Sequence, residues 1–147
     1  MNMDLQWSRL ESLNALEFYE IVKARESVFV VEQNCAYQET DEHDPHSWHL
    51  TVFVNGDLAA YARVVNPGLK YEQPSIGRVM TLPRFRGVGI GRKLVSEAIA
   101  FTEQTFPGLG IRIGAQAYLK KFYESFGFEV TGEPYDEDGI RHVEMLK

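Results

Sequence analysis

The sequence predicts an α/β protein, an α+β arrangement in which a mixed sheet carries helices on both faces. Three observations predict this class. The length of 147 residues suits one domain, 1–147, and no linker or repeat divides it. Strand-like and helix-like patterns follow one another in the order β α β β β α β α β β. Hydrophobic residues make up 44% of the chain, which is enough to build a buried core.

The first half of the chain predicts one helix among several strands. The segments are a strand over 5–8, a helix whose apolar spacing runs over 13–29, a loop over 34–45, and strands over 47–54 and 57–65. Ser12 or Asn14 can cap the helix, because either side chain accepts hydrogen bonds from free amides. Asn55-Gly56 predicts a tight hairpin between the last two strands.

The second half alternates strands with helices and ends in a hairpin. The segments are a strand over 75–81, a helix over 89–104, a strand over 111–115, a short helix over 118–126, and strands over 128–131 and 140–146. Pro107-Gly108 stops the long helix, and Gly127 ends the short one. The final two strands are expected to pair across an acidic turn at 136–139.

Charge and composition exclude several classes of protein. The formal net charge of −6 argues against binding to nucleic acid. No membrane association is expected, because no apolar stretch approaches the ~18 residues of a membrane span. Cys35 is the only cysteine, so no internal disulfide forms and a cytoplasmic location is expected. No metal is expected either, since the spacing of His43, His46 and His49 matches no zinc motif.

A glycine-rich turn before the long helix predicts a phosphate-binding site. Glycines at 87, 89 and 91 let the backbone approach a ligand closely, and amides at a helix N-terminus favour an anion. The spacing misses the Rossmann and P-loop patterns. From 73 to 96 there is no acidic residue, whereas the segment contains Arg78, Arg84, Arg86, Arg92 and Lys93.

Two motifs in this region carry a family resemblance. Arg86-x-x-Gly89-x-Gly91 resembles the pyrophosphate-binding motif of the GCN5-related N-acetyltransferases (GNATs), which bind acetyl-coenzyme A; a purely structural glycine-rich turn is the alternative. Tyr123-x-x-x-Gly127-Phe128 resembles that family's helix after the fifth strand. A narrower match, similar to the ElaA-like branch of these transferases, consists of Arg25 to Gln33, Tyr37, Asp41 and Asp44.

The resemblance implies the GNAT acyl-CoA N-acyltransferase fold, a central, mostly antiparallel twisted sheet flanked by helices on both faces. It implies acetyl-CoA as co-substrate and direct attack by a primary amine in a ternary complex. Strands would splay beside Thr81, where the amides of Met80 and Thr81 would bond the pantetheine arm. The pyrophosphate would lie on the turn amides of Arg86, Gly87, Val88, Gly89, Ile90, Gly91 and Arg92. Homodimers are common among such proteins.

Tyr123 is the candidate catalytic residue. A phenol with a pKa of ~10 stays protonated at neutral pH and can give its proton to a departing thiolate, whose thiol has a pKa of ~8.5. The alternative is a packing role with the neighbouring phenylalanines. The general base stays open among Glu32, His142, Glu144 and a water chain. Many relatives carry a glutamate on the fourth strand, but the segment 76–81 holds no acid.

The predicted function is acetylation of a small-molecule or peptide amine. The acids Glu39, Asp41, Glu42 and Asp44, with 136–138, would attract a cationic acceptor or else form a solvated loop. Two alternatives remain: a non-catalytic coenzyme-A-binding or partner-binding module with the same fold, and a structural or oligomer-forming domain.

Overall fold

The computed structural model describes residues 2–147. The helices are α1 Ala15–Arg25, α2 Ile90–Thr105 and α3 Lys120–Glu124. The strands are β1 Met3–Arg9, β2 Ser47–Val54, β3 Asp57–Val65, β4 Ser75–Thr81, β5 Arg112–Gln116, β6 Glu129–Val130, β7 Tyr135–Glu137 and β8 Ile140–Leu146. Among the helices of this range, none is both long and apolar enough to cross a membrane.

The first helix begins at one of the two predicted caps. The Asn14 side chain accepts a hydrogen bond from the Glu17 amide (2.8 Å), and the Glu17 carboxylate accepts one from the Asn14 amide (2.9 Å). This capping box satisfies two amides that a helix start leaves free. Beyond Arg25 the chain continues as a π-helical segment over Glu26–Glu32. Apolar spacing predicted the helix but not this change of winding, which is frequent at functional sites.

The strands form two half-sheets instead of one continuous sheet. The first half-sheet has the order β1-β2-β3-β4, and the second has the order β5-β8-β6 with β7 also paired to β8. All strand pairings within residues 2–147 are antiparallel. The expectation of a mostly antiparallel sheet is therefore confirmed.

Helices cover both faces of the first half-sheet, as predicted. Successive side chains of a strand point to opposite faces. On β3, Tyr61 packs with Ile21 and Phe29 of the α1 side. Its neighbours Ala60 and Ala62 pack with Leu94 and Ile90 of α2. A third core joins α2 to the second half-sheet and contains Val95, Ala98, Ile113, Val143 and Met145.

The C-terminal hairpin differs from the prediction. The strand that flanks the turn is β7, which the sequence analysis did not identify, and the turn consists of Asp138 (φ 52°) and Gly139 (φ 80°). The predicted strand over 128–131 shortens to β6, which pairs with the far end of β8 at Met145 and Leu146. The segment Tyr135-Asp-Glu lacks the apolar alternation that marks a half-buried strand, so periodicity could not reveal it.

Candidate active site

A wedge opens between β4 and β5, which lie side by side without pairing. At its closed end the Arg112 amide donates a hydrogen bond to the Pro74 carbonyl (3.1 Å). Toward Thr81 and Gln116, no strand pairing joins the two strands within residues 2–147. The open end leads into a cleft of about 510 Å³, a volume typical of small-molecule sites. The strand splaying expected beside Thr81 lies at this open end.

The glycine-rich turn borders the cleft and presents free backbone amides. Gly87 and Gly89 have φ angles of 84° and 86°, a left-handed conformation that favours glycine. Within residues 2–147, no amide from Gly87 to Arg92 donates a hydrogen bond; the first helical bond runs from the Lys93 amide to the Gly89 carbonyl (3.2 Å). The Arg86 amide differs, because it donates to the Pro83 carbonyl (3.2 Å). The amides that follow it form a cradle suited to an anion at the N-terminus of α2.

The basic residues around this turn divide into paired and available cations. Arg84 pairs with Asp57 (2.6 Å), and Arg86 holds both oxygens of Glu32 (2.6 and 2.8 Å). The Arg92 guanidinium lies 4.5 Å from the centre of the Phe126 ring. In the part of the chain that the structure describes, neither Arg92 nor Lys93 pairs with a carboxylate. These two side chains therefore remain able to neutralise a bound phosphate.

A bulge shapes β4 where it lines the cleft. Tyr61 pairs with Met80 while Arg63 pairs with Gly77, so β4 contains one residue more than β3 over this stretch. Arg78 lies in the bulge with a φ of 49°, the left-handed region. Met80 is buried and Thr81 is half-buried, and both line the cleft. Sequence reasoning missed the bulge, although an isolated glycine inside a strand, here Gly77, is a signal for one.

Tyr123 also lines the cleft, from α3. Tyr123 is 6% exposed, and its ring packs edge-on against the rings of Phe122 and Phe128. Burial raises the pKa of the Tyr123 phenol above its ordinary value, and the nearby Tyr118 adds to this effect. The phenol therefore stays protonated across the neutral range. Tyr123 thus packs with the neighbouring phenylalanines, as the alternative predicted, and it also lines the cleft.

The last residue of the π-helical segment and the three residues that follow it cross the open end of the wedge. Glu32 contacts Arg86 beside the end of β4, and Arg86 also donates to the Thr81 carbonyl (2.8 Å). On the other side, the side-chain amide of Gln116, at the end of β5, donates a hydrogen bond to the side-chain oxygen of Gln33 (3.3 Å). The Cys35 thiol then donates to the Asp138 carbonyl (3.2 Å). We call 32–35 the crossing segment, since it contacts both half-sheets.

The three candidate bases have different surroundings. The hydrogen bond from Arg86 lowers the pKa of Glu32, which leaves this carboxylate a weak proton acceptor. Glu144 accepts a hydrogen bond from Arg112 (2.9 Å) and is not part of the cleft lining. His142 lines the cleft and is 7% exposed.

Three arginines and three carboxylates form a closed ring beside the cleft. Each charge contacts two of opposite sign, in the order Arg25–Glu39 (2.8 Å), Glu39–Arg78 (2.6 Å), Arg78–Asp41 (3.3 Å), Asp41–Arg63 (2.7 Å), Arg63–Asp44 (3.0 Å) and Asp44–Arg25 (2.8 Å). We call these six residues the charge ring. It ties α1, the segment 34–45, β3 and the bulge of β4 together.

The charge ring changes the interpretation of the acidic segment. Glu39 and Asp44 are 5% and 3% exposed, so they do not belong to a solvated loop. They do not form an unpaired acidic rim either, because arginines neutralise them together with Asp41. Hydrogen bonding to Arg25 and the charges of Arg25 and Arg63 outweigh burial, which alone would raise the value, and lower the pKa of Asp44 to about 2. Outside the charge ring, the carboxylates that line the cleft are Glu32, which Arg86 holds, Glu137 at the end of β7 and Asp138 in the turn after it.

Comparison with known proteins agrees with these features. The model of the acetyltransferase (GNAT) domain family matches residues 12–147. A UPF0039 protein of Synechocystis is 42% identical over 147 residues, which cover 99% of this chain and 96% of that protein. Protein ElaA of Escherichia coli is 37% identical over 147 residues, which cover 97% of this chain and 96% of that protein.

Solved structures lead to the same family. The crystal structure of an acyl-CoA N-acyltransferase from Pseudomonas aeruginosa superposes with a TM-score of 0.94 at 34% identity, covering 99% of each chain. That of Escherichia coli ElaA gives 0.92 at 35% identity, also covering 99% of each chain. The resemblance to GNATs of the ElaA-like branch is thus confirmed, and with it an N-acyltransferase activity on a coenzyme-A thioester. This chain belongs to the GNAT acetyltransferase family.

Proposed function

We propose that the chain transfers the acetyl group of acetyl-CoA directly to a primary amine within a ternary complex. The observation that carries this proposal is the run of free amides from Gly87 to Arg92 at the border of the wedge. Such amides at a helix N-terminus bind a pyrophosphate, and the wedge beside them accepts the thioester arm of the same molecule. Met80 and Thr81, at the open end of β4, would bond the pantetheine arm.

These groups support acyl transfer mainly by positioning the amine and the thioester for reaction. The unprotonated amine attacks the thioester carbonyl carbon, backbone amides stabilise the oxyanion, and the carbon–sulfur bond then breaks. The Tyr123 phenol protonates the departing sulfur. Holding the two reactants in line contributes about 7–11 kcal/mol in well-oriented systems.

Direct attack is favoured over an acyl-enzyme intermediate by the state of the one thiol. Cys35 is the only cysteine in the chain, it is 7% exposed, and it donates its proton to the Asp138 carbonyl. A buried thiol held by a hydrogen bond is a poor nucleophile, because reactive cysteines lie in accessible, electropositive surroundings. The same unpaired cysteine supports a reducing location such as the cytoplasm.

The cradle is tested by adding a side chain at Gly91. A Cβ at Gly91 would lie 3.8 Å from Thr81 Oγ1, an ordinary contact, so Gly91→Val retains the fold while filling the anion site. Gly132→Val is the matched control, because a Cβ there meets nothing within 4 Å. Calorimetry should show acetyl-CoA binding to wild type and Gly132→Val, and an affinity lower by about tenfold or more, ~1.4 kcal/mol, for Gly91→Val.

A thiol-release assay with a panel of amines completes the test. Wild type should release coenzyme A in proportion to acetylated amine. Equal acetyl-CoA affinity in the two valine variants would contradict the cradle. Binding without turnover for every amine would instead favour the non-catalytic coenzyme-A-binding module.

A further inference from the structure

One imidazole faces the cleft from the second half-sheet. His142 lies on β8 opposite Gln116, the last residue of β5, at the open end of the wedge. It is 7% exposed, and it forms part of the cleft lining. On its other side β8 pairs with β7, where Tyr135 stands opposite His142. The imidazole therefore lies at the level where the wedge admits an acyl group.

The contacts of the ring determine which nitrogen can accept a proton. Nδ1 lies 2.8 Å from the Ile140 carbonyl oxygen. Because a carbonyl only accepts hydrogen bonds, Nδ1 carries the proton, and Nε2 of the neutral ring presents a lone pair. The ring stacks on Tyr135, with centroids 5.8 Å apart and planes at 27°, which restricts its orientation.

A carboxylate stands beside the accepting nitrogen. Glu137 Oε2 lies 3.5 Å from His142 Nε2, and Glu137 also lines the cleft. At this distance the carboxylate pairs with the ring only in its protonated form, so it can orient the ring once Nε2 has taken a proton. Glu137 and Tyr135 of β7 contact the ring, and the uncharged Gln116 of β5 stands opposite His142 in the strand register. Lys70, in the loop before β4, also lines the cleft and lies within electrostatic range of Glu137.

We infer that His142 Nε2 is the proton acceptor for the acceptor amine and that Glu137 is its positioning residue; the inference rests on the function proposed above. The ammonium form of the acceptor gives one proton to Nε2, and the amine nitrogen then forms the carbon–nitrogen bond at the thioester carbon. The carbon–sulfur bond breaks next. Sulfur takes the Tyr123 proton, and the phenolate recovers a proton from the nitrogen. His142 releases its proton to solvent, so one proton leaves per turnover.

This role makes a prediction about the protonation state of the acceptor. Alkylamines are protonated at neutral pH and need the base, whereas O-methylhydroxylamine is already unprotonated and does not. His142→Asn keeps a donor for the Ile140 carbonyl and removes the accepting nitrogen. It should lower kcat/KM by about 10²–10⁴-fold for alkylamines and leave O-methylhydroxylamine nearly unaffected. In His142→Asn the alkylamine rate should instead follow the unprotonated fraction of the amine and keep rising with pH toward the pKa of ~10.4 of an alkylammonium group.

Two further variants separate catalysis from structure. Glu137→Gln should lower kcat for alkylamines with little change in KM, because its contact is with the imidazole. The control is His46→Asn, because His46 is an exposed histidine just before β2. This variant should match wild type in kcat/KM for both nucleophiles. An equal loss for both nucleophiles in His142→Asn, or no loss for either, would overturn the inference.

The tautomer can be measured without any acceptor. Nitrogen NMR of the labelled protein should find the neutral His142 ring protonated at Nδ1, and a proton at Nε2 would refute the base role. Calorimetry with acetyl-CoA is run in parallel on wild type and His142→Asn. Absence of binding in both would reject the proposed function, whereas normal binding with unchanged alkylamine turnover rejects only the role of His142.

Discussion

The phenol of Tyr123 is almost fully withdrawn from water, yet it borders the cleft. Burial keeps it protonated, which suits a group that must hold its proton until sulfur leaves. The same burial makes the proton harder to release into solvent. In the proposed mechanism the proton can therefore move only to a sulfur that lies directly beside the hydroxyl and carries the negative charge of the breaking carbon–sulfur bond.

We expect Tyr123→Phe to lower kcat by about 10²–10⁴-fold. The acetyl-CoA dissociation constant should change little, because the ring and its packing remain. Steady-state kinetics and calorimetry measure the two quantities. Tyr118→Phe is the matched control, since this tyrosine lines the same cleft but is 75% exposed. A loss of kcat confined to Tyr118→Phe would transfer the role to that residue.

At the same scale, sequence reasoning proposed Tyr123 and the turn glycines as site residues because both belong to short continuous motifs, and the structure places both at the cleft. It treated the Arg86 amide like its neighbours, although the preceding turn places that amide on the Pro83 carbonyl. It left the base open because the partners of Glu32 and Glu144 are distant in sequence. The Arg86–Glu32 contact spans 54 residues, and no local pattern encodes it.

Among the elements, those with a strong local signal were predicted well. Asn55 and Gly56 adopt the positive φ angles of 51° and 87° that the hairpin signal implies. The π-helical segment and strand β7 were missed because apolar periodicity does not reveal them. The bulge of β4 was missed although Gly77 inside the strand is a signal for one. The charge ring could not be predicted, since its arginines and carboxylates come from α1, β3, β4 and the segment between α1 and β2.

The charge ring should contribute far more to stability than an exposed ion pair. Arg25→Met leaves Glu39 and Asp44 buried with one partner fewer each, which should destabilise the fold by about 3–5 kcal/mol. The matched control is Arg84→Met, because the Arg84–Asp57 pair has side chains 67% and 64% exposed. It should cost less than ~1 kcal/mol. Urea denaturation measures both, and equal losses would contradict a structural role for the ring.

For the whole molecule, the ring predicts sensitivity to acid. The pKa of Asp44 is lowered to about 2 and that of Asp41 is lowered as well, against ~3.9 for an unfolded aspartate. Depressed folded-state values add stability above pH ~4, and this stability is lost as pH falls toward about 2. The free energy of unfolding, measured by urea denaturation, should drop steeply in this window, by on the order of 2 kcal/mol for Asp44.

A substitution tests the origin of this acid sensitivity. Asp44→Asn should be less stable at neutral pH but should lose less additional stability between pH ~4 and ~2. Asp57→Asn, in the exposed pair, should retain the wild-type pH dependence. A profile of Asp44→Asn parallel to wild type would show that other carboxylates cause the acid loss.

Closure of the charge ring also limits how the sequence can drift. In an isolated ion pair, exchanging the two partners restores attraction. Here, exchanging Arg25 and Asp44 would set a carboxylate beside Glu39 and an arginine beside Arg63. Reversing the charges of Glu39 and Arg63 removes that repulsion but creates like-charge contacts with the next members of the ring. Attraction returns only when all six charges are reversed. Sequences that evolve from this one should therefore retain all six charges of the ring or change all six together.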